Sequence, residues 1–478
     1  MAADRERMSA VDTAWLRMDR PTNLMMIVGV WILDEPLDFA RFRQLIAERF
    51  LRYTRFRQRP VDDGVGAAWE LDHEFDLDSH VRRVALPEPA GKYELEALVS
   101  DLAGAKLDPR RPLWQFQLVE NYAAGAAVVM RIHHCYADGI ALTRVLLSLT
   151  DTERDPPPQP EPAAPAAARP WRPRKGGLGA AMGQLPIPGA ALVQRALADG
   201  ADWLGRVAET ARHPDHAAEL ARHALGAGLE MLRVASLPDD PMVRFKGTLG
   251  TRKLAAWGEQ LPLPEVRTVA HALGCTINDV LMAAAAGALG SYLRELGEDT
   301  DGLVLRATVP VNLRDPGESI GLGNEFGLVF LELPVGIRDP LARVRAVSES
   351  MAGLKTSYQP ALMLGLMATL GVLGEGAQRL AVDLLSSKAT LVASNVPGPR
   401  TQLYAAGSRI SQLMFWVPQS GGIGLGISIL SYNGQVQFGL IADRKRVPDP
   451  RNIAARFGAE FEQIVLAVLL GPYLQAGS

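Results

Sequence analysis

The hydrophobic positions along the chain follow two different periodicities, and each predicts a different kind of element. Short apolar or alternating runs predict β-strands, and apolar residues spaced three or four apart predict helices. The two kinds of run are mixed in both halves, in a similar order. The pattern therefore predicts an α/β protein built from two related lobes. Strands are predicted at 23–33, 114–119, 126–134, 303–311, 326–333, 423–431 and 435–441, and helices at 39–51, 140–149 and 276–296.

Two local signals locate turns and helix ends along this pattern. Asn433 and Gly434 lie between the last two predicted strands, and this dipeptide favours a two-residue hairpin turn. Thr276 is followed three residues later by Asp279, which is typical of a capping box at a helix start. A turn at 121–125 joins two strands that are expected to pair.

A proline-rich stretch at 155–175 divides the chain. It holds eight prolines between Pro156 and Pro173, and proline neither donates a backbone hydrogen bond nor leaves φ free. The stretch therefore predicts an extended linker, followed by an alanine-rich helical segment at 192–232. We expect an N-terminal lobe at 1–154, a linker and helical connection at 155–240, and a C-terminal lobe at 241–478.

Composition narrows the class of protein. The formal net charge is −3, so a uniformly basic nucleic-acid-binding protein is not expected. With Cys135 and Cys275 as the two cysteines, the chain lacks a disulfide framework, which favours the reducing cytosol. The N-terminus does not resemble a secretory signal. The apolar run at 361–374 is shorter than the roughly 20 residues that span a bilayer and predicts a buried helix rather than a membrane-contacting surface.

The candidate catalytic residues are concentrated at the end of the strand predicted at 126–134. Strand alternation places His134 on one face, in a row with Met130 and Ile132, and places His133 on the other face. Because His134 ends the more apolar row at a strand–loop junction, it is expected as a neutral general base. His133 is then expected in a different environment, on the opposite face of the strand.

Asp138 follows His134 by four residues and allows two interpretations. It orients the imidazole, or it pairs with an arginine and holds the loop, and the structural role is favoured because the base must stay free to take a proton. Gly139 is expected to permit a tight turn at Asp138–Gly139 and a close approach of the backbone. Two other hypotheses stay open: both histidines are structural, or they bind a metal. The metal hypothesis lacks a third ligand at a recognisable spacing, because His213, His216 and His223 are expected at the surface.

The motif HHCYADG at 133–139 resembles the HHxxxDG signature of the wax ester synthase/diacylglycerol acyltransferase family. Condensation domains and other acyltransferases of the chloramphenicol-acetyltransferase-like fold share this signature. Further stretches resemble blocks of the first family in the same order, so the resemblance covers nearly the whole chain. These are Pro112-Leu113-Trp114, Asn278-Asp279, the segment 310–314 followed by Gly323-Asn324, and the segment 394–399.

The resemblance implies a two-lobed, condensation-domain-like fold with a tunnel between the lobes. It also implies roles for the motif residues. His134 is the general base that deprotonates an acceptor hydroxyl, and no covalent intermediate is needed. His133 shapes the site or is a hydrogen-bonded core residue. Asp138 fixes its loop, with Arg314 as the candidate partner.

The other blocks have less defined roles. Asn278 and Asp279 either act at the site, for example on an oxyanion, or simply cap a helix. Pro112 and Trp114 are expected to position the histidine strand. The sequence leaves open whether the loop with Ser394 and Asn395 contacts CoA, the acyl chain or only protein. For Cys135 a small buried residue is expected.

The function implied by the resemblance is transfer of a long-chain acyl group from acyl-CoA to a fatty alcohol or a diacylglycerol. Acyl-CoA is then a substrate, and neither a cofactor nor a metal is expected. The products are wax esters, triacylglycerols or both, made by a cytoplasmic protein attached peripherally to the inner membrane and to lipid inclusions. The alternatives are a condensation-type enzyme that uses carrier-protein thioesters and a non-catalytic lipid-binding or inclusion-surface protein. The sequence leaves the oligomeric state open.

Overall fold

The computed structural model describes residues 5–62, 66–156, 236–312, 322–324, 326–355 and 375–476, together with four residues between 363 and 370. The predictions for Arg314, for the helix at 192–232 and for most of the proline-rich stretch lie outside these residues. Met363, Leu366, Met367 and Leu370 are helical and buried, in agreement with the prediction for this run.

Strands and helices are mixed throughout the described chain. The strands are β1 (Arg5–Arg7), β2 (Met26–Leu33), β3 (Gln58–Asp62), β4 (Ala67–Leu71), β5 (Val81–Val84), β6 (Trp114–Val119), β7 (Ala126–His133), β8 (Lys253–Trp257), β9 (Leu261–Pro262), β10 (Leu305–Asn312), β11 (Phe326–Leu333), β12 (Leu391–Pro397), β13 (Tyr404–Ala405), β14 (Ser408–Trp416), β15 (Leu425–Tyr432) and β16 (Gln435–Asp443). The α-helices are α1 (Ala10–Arg17), α2 (Phe39–Leu45), α3 (Lys92–Gly104), α4 (Gly139–Leu147), α5 (Leu263–Ala272), α6 (Ile277–Glu295), α7 (Pro340–Lys355), α8 (Glu375–Ser387) and α9 (Pro450–Ala476).

The histidine strand β7 lies inside a six-stranded sheet of order β13-β14-β2-β7-β6-β5. All eight residues of β7 are buried, as are those of β2 and β6 on either side. Strand β14 belongs to the C-terminal half of the chain but pairs antiparallel with β2. The sheet that carries the histidines is therefore completed by residues far along the sequence, which the proline-rich boundary does not predict.

A second sheet has the order β11-β10-β12-β15-β16-β8, with β9 paired to β16. Its hairpin β15–β16 turns at Asn433 and Gly434, which have φ of 46° and 77°. Both values are positive, as a two-residue turn of this type requires, and the sequence prediction of a hairpin here is confirmed.

Helix α6 packs against this second sheet and against helices α7 and α9. The Thr276 hydroxyl accepts the N–H of Asp279, and the Asp279 carboxylate accepts the N–H of Thr276 at 2.8 Å, so the predicted capping box is present. Gly290 on this helix faces the backbone of Val335, where an added Cβ would lie 2.0 Å from the carbonyl oxygen. The small residues of α6 thus permit close packing.

Element boundaries differ from the sequence predictions by a few residues. The helix predicted at 39–51 consists of α2 and a π-helical turn, Ile46–Phe50. Strand β7 ends at His133. The N–H of His134 still donates to Met25 O at 2.7 Å, but the N–H of Met25 donates to Asp19 Oδ1 at 2.7 Å and not back to His134, so the ladder stops. Of the described residues, no one helix combines the length and apolar character needed to cross a bilayer; taken together, α5 and α6 pass that test, although they are bent by 100°.

Candidate active site

His134 lies in an aromatic pocket at the end of strand β7. Its ring stacks on Trp15 of helix α1, with centroids 4.1 Å apart and planes at 17°. Phe326, at the start of β11, completes this aromatic cluster, and its ring centroid lies 5.5 Å from that of His134. His134 is 4% exposed. The pocket is therefore built from both halves of the chain.

This burial controls the protonation state of His134. Removal of the imidazolium from water lowers the pKa of His134 to about 4, and the charge of Asp138 and contacts with its own carbonyl and the Asn324 amide offset only part of the effect. The imidazole is therefore neutral near pH 7. Its Nδ1 makes no hydrogen bond of good distance and angle with a described residue. A neutral imidazole of this kind is able to accept a proton from a bound group.

Asn324 links three segments of the site. Its side-chain Nδ2 donates to Asp12 Oδ1 at 2.7 Å and to the carbonyl oxygen of His134 at 2.9 Å. Burial raises the pKa of Asp12, and the hydrogen bond from Asn324 offsets part of this rise. Asn324 therefore connects helix α1 to the backbone of the histidine loop.

Two further polar atoms beside His134 lack partners among the described residues. These are Nε1 of Trp15 and Oδ1 of Asn324, and both are buried. Buried polar atoms in native proteins are nearly always hydrogen-bonded. Because the Asn324 amide also acts on the His134 ring, Nε1 of Trp15 is the donor that indicates a place for a polar ligand.

The sequence motifs do not reveal roles for Asp12, Trp15 or Asn324. The segment MSAVDTAWL carries a usable signal, because Ser9 caps helix α1 by accepting the N–H of Asp12 at 3.0 Å. A serine followed three residues later by an acid predicts a helix start. Which face of that helix meets His134 is not readable from this signal.

His133 has partners of its own. Its Nδ1 accepts the N–H of Cys135 at 3.2 Å, so Nε2 carries the proton and donates to Asp19 Oδ1, also at 3.2 Å. Burial acts to raise the pKa of Asp19, but the hydrogen bond from His133 and other contacts outweigh it, and the pKa lies below its ordinary value. Both ring nitrogens of His133 are occupied, which leaves His134 as the ring available to a ligand.

Asp138 is the N-cap of helix α4. Its Oδ1 accepts the N–H groups of Ile140 at 3.0 Å and Ala141 at 2.9 Å. Its own N–H donates to Gly323 O at 3.2 Å. These contacts hold the histidine loop between α4 and the segment that carries Asn324.

The expectation of a tight turn at Asp138–Gly139 is wrong. Gly139 is the first residue of helix α4, and its φ does not lie in the left-handed region. A Cβ built on Gly139 would meet no described atom within 4 Å. The physical reason is that the Asp138 carboxylate supplies hydrogen bonds to the first helical N–H groups, so the chain enters a helix without a strained residue.

The Pro112-Leu113-Trp114 block contacts the histidine loop through its backbone. The N–H of His133 donates to Leu113 O at 2.9 Å, and the N–H of Leu113 donates to the Tyr136 hydroxyl at 3.0 Å. Pro112 precedes strand β6, where its carbonyl accepts the N–H of Trp114 at 2.9 Å. The block therefore contacts both ends of the loop that contains His134.

The Trp114 side chain is buried on the sheet and does not reach His134. Its Nε1 donates to Phe56 O at 2.7 Å, and its ring stacks on His80 with centroids 4.3 Å apart. These contacts are those of a residue that positions strand β6.

Asn278 and Asp279 differ in their contacts. Asp279 caps helix α6 and also accepts the Ser348 hydroxyl at 3.1 Å. The Asn278 carbonyl oxygen accepts a hydrogen bond from the Asn395 amide on strand β12. Ser394 is buried on the same strand, so the expectation of a loop at Ser394 and Asn395 is wrong; both residues pair with β15 in the second sheet. The described hydrogen bonds do not connect these four residues to His134, so any part they take in catalysis stays a prediction.

Other chemistries have less support in the described part of the chain. There, no group of three or more His, Cys, Asp or Glu side chains lies close enough together to hold a metal ion. Burial raises the pKa of the Cys135 thiol well above its ordinary value, so this neighbouring residue is a poor nucleophile. The arrangement around His134 is instead suited to general-base chemistry.

Comparisons with known proteins agree with the motif resemblance. Residues 8–281 match the wax ester synthase/diacylglycerol acyltransferase catalytic domain, and residues 322–465 match the corresponding C-terminal domain. A Mycobacterium tuberculosis protein described as a putative diacylglycerol O-acyltransferase is 31% identical, over 96% of this chain and 97% of that protein. A second M. tuberculosis protein of the same description is 30% identical, over 97% and 91% of the two chains.

Solved structures show the same fold. The wax ester synthase/diacylglycerol acyltransferase from Marinobacter aquaeolei matches with a TM-score of 0.68 and 21% identity, over 97% of this chain and 99% of that one. The first condensation domain of the calcium-dependent antibiotic synthetase matches with a TM-score of 0.59 and 16% identity, over 98% and 97%. The prediction of a two-lobed α/β fold of the chloramphenicol-acetyltransferase-like type is confirmed. The chain belongs to the wax ester synthase/diacylglycerol acyltransferase family.

Proposed function

We propose that this protein transfers a long-chain acyl group from acyl-CoA to the hydroxyl of a fatty alcohol or a diacylglycerol. The observation that carries the proposal is the buried, neutral His134 ring, stacked on Trp15 at the end of the histidine strand. A family of acyltransferases requires a base for the acceptor hydroxyl, and this ring is the described group that meets the requirement.

In the proposed reaction, His134 takes the proton of the acceptor hydroxyl while the hydroxyl oxygen attacks the thioester carbonyl carbon. The carbonyl oxygen becomes an oxyanion in the tetrahedral intermediate. Collapse of this intermediate re-forms the carbonyl and breaks the carbon–sulfur bond. The CoA thiolate leaves and takes the proton from the imidazolium, so His134 is neutral again after each cycle.

The low pKa of His134 is compatible with this role. The imidazolium exists only while the oxyanion exists beside it, and the opposite charges stabilise each other in a buried site. The charge of Asp138 acts in the same direction, because it raises the pKa of His134. The unpartnered Nε1–H of Trp15 is a donor that the described site offers to the thioester oxygen.

The choice of acyl-CoA as donor rests on the family and on its full-length relatives. The likeness to condensation domains supports the fold alone, so a carrier-protein thioester remains the rival donor. No described feature of the protein favours the non-catalytic lipid-binding alternative over a catalytic site. These hypotheses differ in what they require of His134 and of the acceptor.

Peripheral attachment to a lipid surface is part of the proposal, because both substrates partition into lipid. Leu466, Leu469 and Leu470 near the end of helix α9 are each more than half exposed, and their spacing places them on one side of the helix. Replacement of Leu466 and Leu469 by serine is expected to weaken sedimentation with phosphatidylglycerol vesicles. Unchanged sedimentation would remove this helix end from the proposal.

The decisive experiment measures thiol release from palmitoyl-CoA by the purified protein. Hexadecanol and dioleoylglycerol are offered separately, and a palmitoylated carrier protein replaces palmitoyl-CoA in a parallel arm. His134→Ala is expected to abolish acceptor-dependent release, and His271→Ala, at an exposed histidine, serves as the matched control. Release that is equal in the two variants, or that occurs only with the carrier protein, would contradict the proposal.

A further inference from the structure

An apolar cavity lies on one face of the six-stranded sheet, under helix α4. It is partly open to solvent, and the space not filled by atoms is about 630 Å³ when that open solvent is included. Its floor is formed by β2, β7 and β14, and its walls by α4 and by the segment that begins at Gly398. The same helix is capped by Asp138, so one wall of the cavity begins within the histidine motif.

The described lining of the cavity holds no acidic, basic or histidine side chain. The hydroxyls on its helix side are already satisfied, because Thr143 donates to Gly139 O at 2.6 Å and Thr150 donates to Leu147 O at 2.8 Å. An occupant therefore meets hydrocarbon surface and gains chiefly from burial of its own apolar surface.

The middle of the floor lacks a side chain at one position. In the sheet register, Gly29 lies directly between Met130 on β7 and Phe415 on β14, and all three line the cavity. A Cβ built on Gly29 would lie 2.8 Å from Met130 Cγ and 3.0 Å from Met130 Sδ. The Met130 side chain therefore occupies the space that any larger residue at position 29 would need.

We infer that the acyl chain of the thioester lies in this cavity and that Gly29 and Met130 set the chain length it accepts. This inference rests on the proposed acyl transfer. The apolar lining suits a hydrocarbon chain, and every turnover brings one acyl chain. A diacylglycerol acceptor brings two chains and a polar glycerol, for which this lining offers no free polar side chain.

The length selection follows from packing. A Cβ at position 29 forces the flexible Met130 side chain to move, and the cavity is the open space on that face. The displaced Met130 side chain then fills the space in which the terminal methylenes of a long acyl chain would be buried. Burial of one methylene strengthens the binding constant about fourfold, so loss of burial for two methylenes weakens it about 15-fold.

The first experiment measures kcat/KM for CoA esters of 10 to 18 carbons with a fixed acceptor. Gly29→Ala is expected to lower the ratio of hexadecanoyl to dodecanoyl transfer by about 10-fold, and Gly29→Ala combined with Met130→Ala is expected to restore it. Leu146→Trp, which fills the cavity from the helix side, is expected to shift the preference towards shorter acyl chains without changing a residue of the sheet. Gly458→Ala, where an added Cβ meets open space, is the control and leaves the profile unchanged.

A second experiment separates this inference from the proposed function. Hexadecanoyl-CoA with a diazirine at its last carbon is cross-linked to the protein, and hexadecanol with the same group is the comparison. Labelling of β2, β7 or α4 by the CoA ester alone is expected. It would support the cavity assignment even if thiol release were absent. Labelling by the alcohol instead, or a Gly29→Ala variant whose ratio of hexadecanoyl to dodecanoyl transfer equals that of the wild type, would overturn the inference.

Discussion

The ring of Trp15 lies nearly parallel to the ring of His134, with centroids 4.1 Å apart. This contact joins the first described helix to the histidine motif and covers one face of the base. Burial of the imidazole, to which this contact contributes, is the main reason that the pKa of His134 falls to about 4.

Replacement of Trp15 is expected to separate two effects. Trp15→Leu lets water reach His134, so the pKa of His134 rises towards its ordinary value and the acid limb of kcat/KM moves to higher pH. Trp15→Phe keeps a stacked ring but loses the Nε1–H, so kcat is expected to fall by about 10-fold or more with an unmoved acid limb. Rate–pH profiles from pH 4.5 to 8 measure both; equal profiles for the two variants would refute this division of roles.

The low pKa of His134 also predicts a pH dependence of stability. Between pH 6.5 and about 4 the unfolded chain binds a proton at this histidine and the folded chain does not, so stability falls as the pH falls through this window. The difference amounts to about 3 kcal/mol at most. His134→Gln removes this contribution, and urea unfolding at pH 7 and pH 4.5 compares the two proteins. If the variant loses as much stability as the wild type, His134 is not the group responsible.

Asn324→Ala is expected to reduce kcat by about 10-fold to 100-fold with a small change in KM, because it releases the His134 carbonyl and leaves the base less well positioned. It also removes a donor from the buried Asp12 carboxylate, at a cost of about 1–3 kcal/mol in the free energy of unfolding. Steady-state kinetics and urea unfolding measure the two effects. Asn452→Ala, at an exposed asparagine, is the control, and wild-type kcat in Asn324→Ala would exclude a positioning role.

Asp138→Ala is expected to remove the cap of helix α4, which costs about 1 kcal/mol or more, and to lower activity because the histidine loop loses its anchor. Asp138→Asn keeps an acceptor for the helical N–H groups and is expected to retain most of the stability. Asp38→Ala removes a similar cap from helix α2, away from the site, and controls for capping alone. A loss of activity that is the same in Asp38→Ala and Asp138→Ala would show that only general stability is affected.

Much of the local structure is predictable from short-range pattern. The Asn433-Gly434 hairpin and the Thr276 capping box have the geometry that their residue types require, because turn and cap conformations depend on neighbours in the chain. The alternation along 126–134 also separated the two histidines, which have different partners in the structure. The error at Gly139 arose because an Asp-Gly pair suits both a turn and a helix start, and only the hydrogen bonds of Asp138 decide between them.

By itself, the sequence determined the α/β class, the position of seven of the sixteen described strands and the identity of the histidine motif, since these depend on periodicity and on residues close together in the chain. Only the tertiary structure showed that Trp15 covers His134, that Asn324 connects Asp12 to the His134 carbonyl, and that Gly29 leaves room for Met130. Asp12 and Asn324 are 312 positions apart. Contacts of this kind depend on how the strands are ordered in a sheet and on which helix faces meet, and no local pattern encodes that order.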